Sequence, residues 1–254
     1  MNNKLVEMKN LGLFVYDSPR SRAYIGALIN LGIKPAWAFV VNYTSHDPSG
    51  QFVKTALFDN DTQIVNTLEK YDIQHIKVTT DNINNPTVIS MFELCEMEYI
   101  VYAGPPGAIL KEKYFRNPKI KFIHVHPGSL PEYKGSTPMY YSLLETGTIC
   151  ATSLFLSEEL DSGEIILSKE FKLSLEEVKN MDFITDPWIR SIVLSETIAS
   201  MIDHKKGLLI KCCPEFSDVV NNDVANQGRG VKGTTYYVIH PVLKHAAVLA
   251  FSHK

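Results

Sequence analysis

Cysteine is scarce in this 254-residue chain, which holds only four. Cys95 and Cys150 stand alone, and Cys212 and Cys213 are adjacent. That spacing matches neither a disulfide framework nor a zinc knuckle, so the expectation is reduced, mostly buried thiols in a cytosolic protein. No apolar run is long enough to cross a bilayer, and Met1 to Asn10 is polar and mixed in charge, which argues against a membrane anchor or a secretory leader. A surplus of positive charge is also missing: the formal net charge is -3, unlike the basic field that collects nucleic-acid phosphates. No internal repeat, heptad pattern or low-complexity tract occurs. There is no glycine-rich loop after the first apolar run, where the chain reads Asp17-Ser18-Pro19-Arg20. A nicotinamide dinucleotide is therefore not expected.

What the chain does contain is an alternation of apolar runs and helical stripes. Leu11 to Tyr16 is a continuous apolar run, as in a strand buried on both faces. Ser21 to Leu31 carries apolar residues at helical spacing and ends at Gly32, and Ala36 to Val41 is a second run. Strand, helix, strand predicts a parallel sheet. The same reading predicts a helix over 62–71, a strand at 75–78, a helix over 86–95 and strands at 99–103 and 122–125. A helix after Pro138, strands at 151–156 and 164–171, and a long helix over 187–204 follow. Residues 214–235 are polar and rich in Asn, Asp and Gly, hence a loop. Tyr236 to Phe251 is apolar again and is expected to pack on the body or on a second copy in a homodimer. The fold class is α/β: Rossmann-like, a mostly parallel twisted sheet with helices on both faces, plus a short C-terminal extension. The expected division is a catalytic core over 1–205 and an extension over 206–254.

The stretch from Phe122 to Ile166 carries the chemistry. It contains His124, His126-Pro127, Ser129-Leu130-Pro131, Tyr133-Lys134-Gly135, a helix opened by Pro138, and Asp161-Ser162-Gly163 before Glu164-Ile165-Ile166. In this order the elements resemble the core of the folate-dependent formyltransferases, the family of the glycinamide ribonucleotide, methionyl-tRNA and sugar-nucleotide N-formyltransferases. The resemblance implies a Rossmann-like fold, 10-formyltetrahydrofolate as formyl donor, and a catalytic set of His124, His126 and Asp161. An amine attacking the formyl carbon creates an oxyanion and must shed a proton, so a donor and an imidazole are needed together. His126 fits the base or oxyanion donor, and Asp161 would orient it and raise its pKa. The family's asparagine is replaced here by His124, whose neutral ring retains one N–H donor.

By the same resemblance, Ala103, Gly104, Ala108, Ile109 and Leu110 border the folate pterin, and Leu156, Ser157, Glu158, Glu159 and Leu160 form the opposite wall. Arg20, Arg22 and Ser129 are candidates for the acceptor, Arg20 and Arg22 through a phosphate. Length and the aromatic pair Tyr236-Tyr237 resemble the sugar N-formyltransferases most, so the expected acceptor is a nucleotide-linked amino sugar, with no nucleic acid and no membrane as partner. Other readings stand beside it: methionyl-tRNA as acceptor, a catalytically inactive family member, or a metal-dependent hydrolase using His124, His126 and Asp161. For the last, the two rings are expected on opposite strand faces, so a shared metal would need the strand end to bend. His240, His245 and His253 are expected at structural or surface positions.

Overall fold

A computed structural model describes residues 5–43, 52–80, 82–203, 206–209 and 235–252. β1 (Val6–Tyr16), α1 (Pro19–Asn30) and β2 (Ile33–Val41) form the opening βαβ unit. α2 (Ile64–Lys70), β3 (Gln74–Val78), α3 (Pro86–Leu94) and β4 (Tyr99–Ala103) follow. After β5 (Lys121–His126) come β6 (Lys134–Gly135), α4 (Pro138–Glu145), β7 (Ile149–Phe155) and β8 (Ile165–Phe171). α5 (Leu175–Lys179), α6 (Asp186–Met201), the short β9 (Ile202–Asp203) and β10 (Leu208–Leu209), then β11 (Thr235–Tyr236) and α7 (Pro241–Ser252) close the described chain.

Seven strands form one sheet in the order β3-β2-β1-β4-β5-β7-β8. The first five are mutually parallel, and β7 and β8 run antiparallel to their neighbours. β1 is central because its apolar run continues on both faces. Leu11, Leu13 and Val15 face α1 and α6, in a cluster with Tyr24, Leu28, Val193 and Ile198. The alternate residues Phe14 and Tyr16 face an aromatic cluster with Phe39, Phe92, Tyr114 and Phe122. There Phe92 packs edge-on against Phe39, with centroids 4.7 Å apart, and against Phe14 at 5.2 Å. Such edge-to-face pairs add to the burial of ring surface.

Helix starts follow local chemistry. Ser18 caps α1, its hydroxyl accepting from Ser21 N, with Pro19 in the first turn. Asn85 and Pro86 do the same for α3. A capping box of Ser174 and Glu177 opens α5, and both devices satisfy amides that have no partner within the helix. The chain turns from β1 toward β2 on one side and returns to β4 on the other. The strand order therefore reverses between β1 and β4, and a crevice opens beyond their carboxyl ends, where open α/β sheets hold ligands.

The predicted strands and helices are present, with boundaries shifted by a few residues. β1 begins five residues before the apolar run because Val6 and Glu7 pair with Ile33 and Lys34. α5 and the π-helical turn Met181–Thr185 between it and α6 were not predicted. The predicted loop over 214–235 lies outside the described residues except for Thr235, which is in β11. Of the apolar tail, Ile239 and Ala247 are buried with Met139, Leu143 and Val178. Cys95 and Cys150 are free thiols, His240 and His245 are exposed, and Cys212, Cys213 and His253 lie outside the described residues. Among the described residues no helix is long and apolar enough to cross a membrane.

Candidate active site

β5 carries the two histidines. They are two residues apart, and residues i and i+2 of a strand share a face. The expectation of opposite faces is corrected accordingly, and the charge of His126 is felt at His124. β7 runs antiparallel beside β5, with His124 opposite Leu154 and His126 opposite Thr152. The loop after β7 then brings Asp161 over the end of β5. That loop is tight: Asp161 adopts a left-handed φ of 49°, and a Cβ on Gly163 would run into the Phe155 carbonyl. The Asp-x-Gly spacing thus has a steric cause, a carboxylate set in place by a turn whose third residue has no room for a side chain.

His126 is 2% exposed and Asp161 8%. Nδ1 of His126 lies 3.4 Å from Asp161 Oδ1, and its Nε2–H donates to the Tyr133 carbonyl at 2.6 Å. Both ring nitrogens thus face oxygen acceptors. Asp161 Oδ2 in turn accepts from the Gly135 amide at 2.8 Å. Burial alone would push the Asp161 carboxyl up. The hydrogen bond and charge of His126, with the Gly135 amide, outweigh burial and bring it down to about 2. Lys134 is a tie rather than a catalytic group, its Nζ donating to Ser162 Oγ at 2.5 Å. Among the described residues no group of three or more His, Cys, Asp or Glu is gathered as a metal site.

His124 differs. Its Nδ1 lies 3.2 Å from the Tyr102 carbonyl. A carbonyl only accepts, so Nδ1 carries the hydrogen and, in a neutral ring, Nε2 is a bare acceptor. Burial, then the charges of Arg190, Arg20 and His126, hold this imidazole well below its usual range despite the opposing pull of Asp161. The ring is therefore neutral near pH 7. The expectation that His124 substitutes for an amide donor is refined: the N–H it retains is spent on the backbone.

Behind His124 sits a buried cluster that the sequence reading missed. Arg190 of α6, 4% exposed, pairs with Asp186 Oδ2 at 3.2 Å. The Tyr24 hydroxyl lies against the Arg190 guanidinium, while Arg20 Nε and Asp186 Oδ1 have no hydrogen-bond partner among the described residues. Two guanidinium groups and one carboxylate leave a net positive interior next to the site. The available signal was a charged residue set among the buried Ile189, Val193 and Leu194 of α6, a placement rare without a role.

The other predicted residues fall in different places. Arg20 reaches the crevice at the strand-order reversal, its Nη2 donating to the Gly104 carbonyl at 2.5 Å. Arg22 turns elsewhere, to Asp17 at 2.7 Å and Asn60 Oδ1 at 3.2 Å. It lines a separate groove of about 380 Å³ between α1 and α6, together with Phe58 and Trp188. That groove contains none of the three catalytic candidates. Ser129 Oγ donates to Glu132 at 3.3 Å. Gly104 is fixed by crowding, because a Cβ there would strike the Tyr102 ring, whose hydroxyl donates to the Ala108 carbonyl at 2.5 Å. Ala108 and Leu156 pack against the same aromatic cluster, and Leu110 is buried in it. Ile109 and Leu160 are exposed, as are Glu158 and Glu159, while Ser157 caps its own turn.

Comparison with known proteins agrees with this architecture. The methionyl-tRNA formyltransferase of Finegoldia magna is 31% identical over 100 residues, 39% of this chain and 32% of that protein. The enzyme of the same name from Bacillus licheniformis is 34% identical over 103 residues, 38% of this chain and 31% of that one. The matches thus span about a third of these curated relatives. Among solved structures, phosphoribosylglycinamide formyltransferase of Anaplasma phagocytophilum superposes with a TM-score of 0.54 at 14% identity, covering 92% of this chain and 99% of that one. A sugar N-formyltransferase of Shewanella sp. gives 0.53 at 13% identity, covering 95% and 87%. These share the fold. The formyl transferase family model matches residues 41–181, and a match over more than half of the sequence makes this chain a member of the formyl transferase family.

Proposed function

We propose that this protein is an N-formyltransferase that moves the formyl group of 10-formyltetrahydrofolate onto the primary amine of a nucleotide-linked amino sugar. The observation that carries the reaction is the buried His126–Asp161 pair at the end of β5, in a family that draws its formyl group from this folate. The amine nitrogen attacks the formyl carbon, the bond from that carbon to the folate nitrogen breaks, and the proton shed by the amine passes through the bare Nε2 of His124 to the departing folate nitrogen. His126 supplies Nε2–H, shared between the Tyr133 carbonyl and the developing oxyanion, in the manner of a three-centre bond. Asp161 stays ionised and holds Nδ1. His124, with Nε2 bare, accepts an N–H of the incoming amine and aims its lone pair at the formyl carbon.

The folate is placed between 103–110 and 156–160, with exposed Ile109 and Leu160 available to its ring. The acceptor enters at the strand-order reversal, where Arg20 and the positive interior around Arg190 favour an anionic substrate, and Ser129 stands at the opposite turn. Support for a sugar acceptor comes from the Shewanella sugar N-formyltransferase, whose fold runs along nearly all of this chain, and from a net charge of -3. The test is formyl transfer to nucleotide-linked amino sugars, glycinamide ribonucleotide and methionyl-tRNA side by side, read by product mass. Formylation of a sugar amine is the expected result. Turnover with methionyl-tRNA alone would replace the acceptor while keeping the chemistry, and folate binding without turnover would mark an inactive member.

A further inference from the structure

β6 lies outside the seven-stranded sheet, and its sole strand partner among the described residues is β11. The two run parallel, Thr235 opposite Lys134 and Tyr236 opposite Gly135. Around this pairing the C-terminal segment makes several further contacts. Ser136 N donates to the Tyr236 carbonyl at 2.9 Å. Ile239 N donates to the hydroxyl of Thr137 at 2.9 Å, a residue held at a left-handed φ of 52°. The Tyr236 ring stacks on Tyr133 at 5.5 Å and leans on Tyr141 at 4.6 Å. Gly135 has φ +96°, and a Cβ there would run into the Tyr236 carbonyl.

The other side of the same backbone holds the site. The Tyr133 carbonyl receives His126 Nε2–H, and the Gly135 amide donates to Asp161. Residues 133–135 are thus a two-sided part, with the catalytic pair on one side and the C-terminal segment on the other. Loops hold a backbone group to a fraction of an ångström only when something packs behind them. Here that backing is a stretch some hundred residues later in the chain.

We propose that residues 235–239, anchored by Tyr236, are a positioning element of the reaction: they fix the Tyr133–Gly135 backbone and, through it, the ring of His126 and the carboxylate of Asp161. Tyr236 is a positioning residue and touches no reacting atom. The kinetic part rests on the reading of His126 and Asp161 as catalytic, whereas the positional part stands apart from it.

The experiment uses the full chain with 15N-labelled histidine, the His126 ring signals being assigned by their loss in His126→Gln. In Tyr236→Ala the low-field Nε2–H signal of His126 should shift upfield or vanish through exchange. The kcat for formyl transfer should fall about tenfold, with KM for the folate changed less than about twofold, since misplacement of the reacting groups acts on turnover. Tyr236→Phe, which keeps the ring stack, should restore both. An unmoved His126 signal in Tyr236→Ala would overturn the proposal, and so would a moved signal with unchanged or raised kcat. If Tyr236→Ala does not fold, Thr137→Val decides: it removes the hydroxyl that receives Ile239 N–H and should move the same signal in the same direction. Should the wild type transfer no formyl group to any acceptor, the ring signal still judges the positioning, and the failure belongs to the activity alone.

Discussion

At the scale of single residues, the two histidines divide by what their neighbours leave them. His126 has both nitrogens set against oxygens, and His124 has one donating to Tyr102 and one bare. An amide at position 124 would offer a donor where the ring offers an acceptor. His124→Asn should therefore lower kcat by about tenfold or more, with folate affinity preserved, in a steady-state assay. Because the His124 pKa is depressed by burial and by the nearby guanidinium charges, its ring signals should stay at their neutral positions from pH 8 down to about 6. The sign for stability follows. Below about 6.5 the unfolded chain binds a proton at this residue that the folded chain does not, so His124 erodes stability as pH falls. Asp161 works the other way at lower pH. Its folded pKa of about 2 lies below the ordinary aspartate value of 3.8, so its contribution is complete above about pH 4 and is lost as pH falls through about 2. Asp161→Asn should cost on the order of 2 kcal/mol in urea unfolding at pH 7, a difference that shrinks toward zero near pH 2, and should abolish most of the turnover.

At the scale of elements, the site is a set of turns braced by strands. β5 delivers the two rings, β7 and β8 close the loop that carries Asp161, and β6 joins that loop to the C-terminal segment. Phe155 N donates to the Glu164 carbonyl at 2.8 Å across the mouth of the loop. Gly163 sits where a Cβ would meet the Phe155 carbonyl, a backbone obstacle that cannot rotate aside. Gly163→Ala should destabilise the protein by about 1–3 kcal/mol through this overpacking, and it should displace Asp161 from His126. Urea midpoints together with kcat check it: a stable, fully active Gly163→Ala variant would show that the loop relaxes without moving the carboxylate. Much of this scale was legible in advance. Buried runs such as LGLFVY and FIHVH announce strands, and Pro138 and Ser18-Pro19 announce helix starts, because burial on both faces and capping are local demands on sequence. The short β6 and β11 were not legible, since two-residue strands carry no periodicity and their pairing depends on contacts across a hundred residues.

At the scale of the whole molecule, a parallel sheet with its strand order reversing between β1 and β4 places the ends of β1, β4 and β5 around one crevice. Arg20 from the start of α1 crosses that crevice to Gly104 at the end of β4, and α6 brings Arg190 and Asp186 beneath it. A folate that binds the folded state alone stabilises it by mass action. At one hundred times its Kd, 10-formyltetrahydrofolate or a stable analogue should add about 2.7 kcal/mol and raise the Tm by roughly 5–10 °C in calorimetry. The same shift is expected in His126→Ala, which keeps the binding walls, so its loss there would place His126 in binding rather than in chemistry.

Taken by itself, the sequence determined the fold class, the order and approximate spans of most strands and helices, and the choice of His124, His126 and Asp161 as candidates. Those follow from hydropathy period, turn residues and a motif order, which are properties of neighbours along the chain. Only the tertiary structure decided that both nitrogens of His126 meet oxygens while Nε2 of His124 stays bare, that Arg22 turns to Asp17 while Arg20 enters the crevice, that Arg190 lends its charge to the site, and that Tyr236 packs behind the turn that holds His126 and Asp161. Hydrogen-bond direction and the field at a buried ring are set by groups brought within a few ångströms from distant parts of the chain, and only folding makes them neighbours.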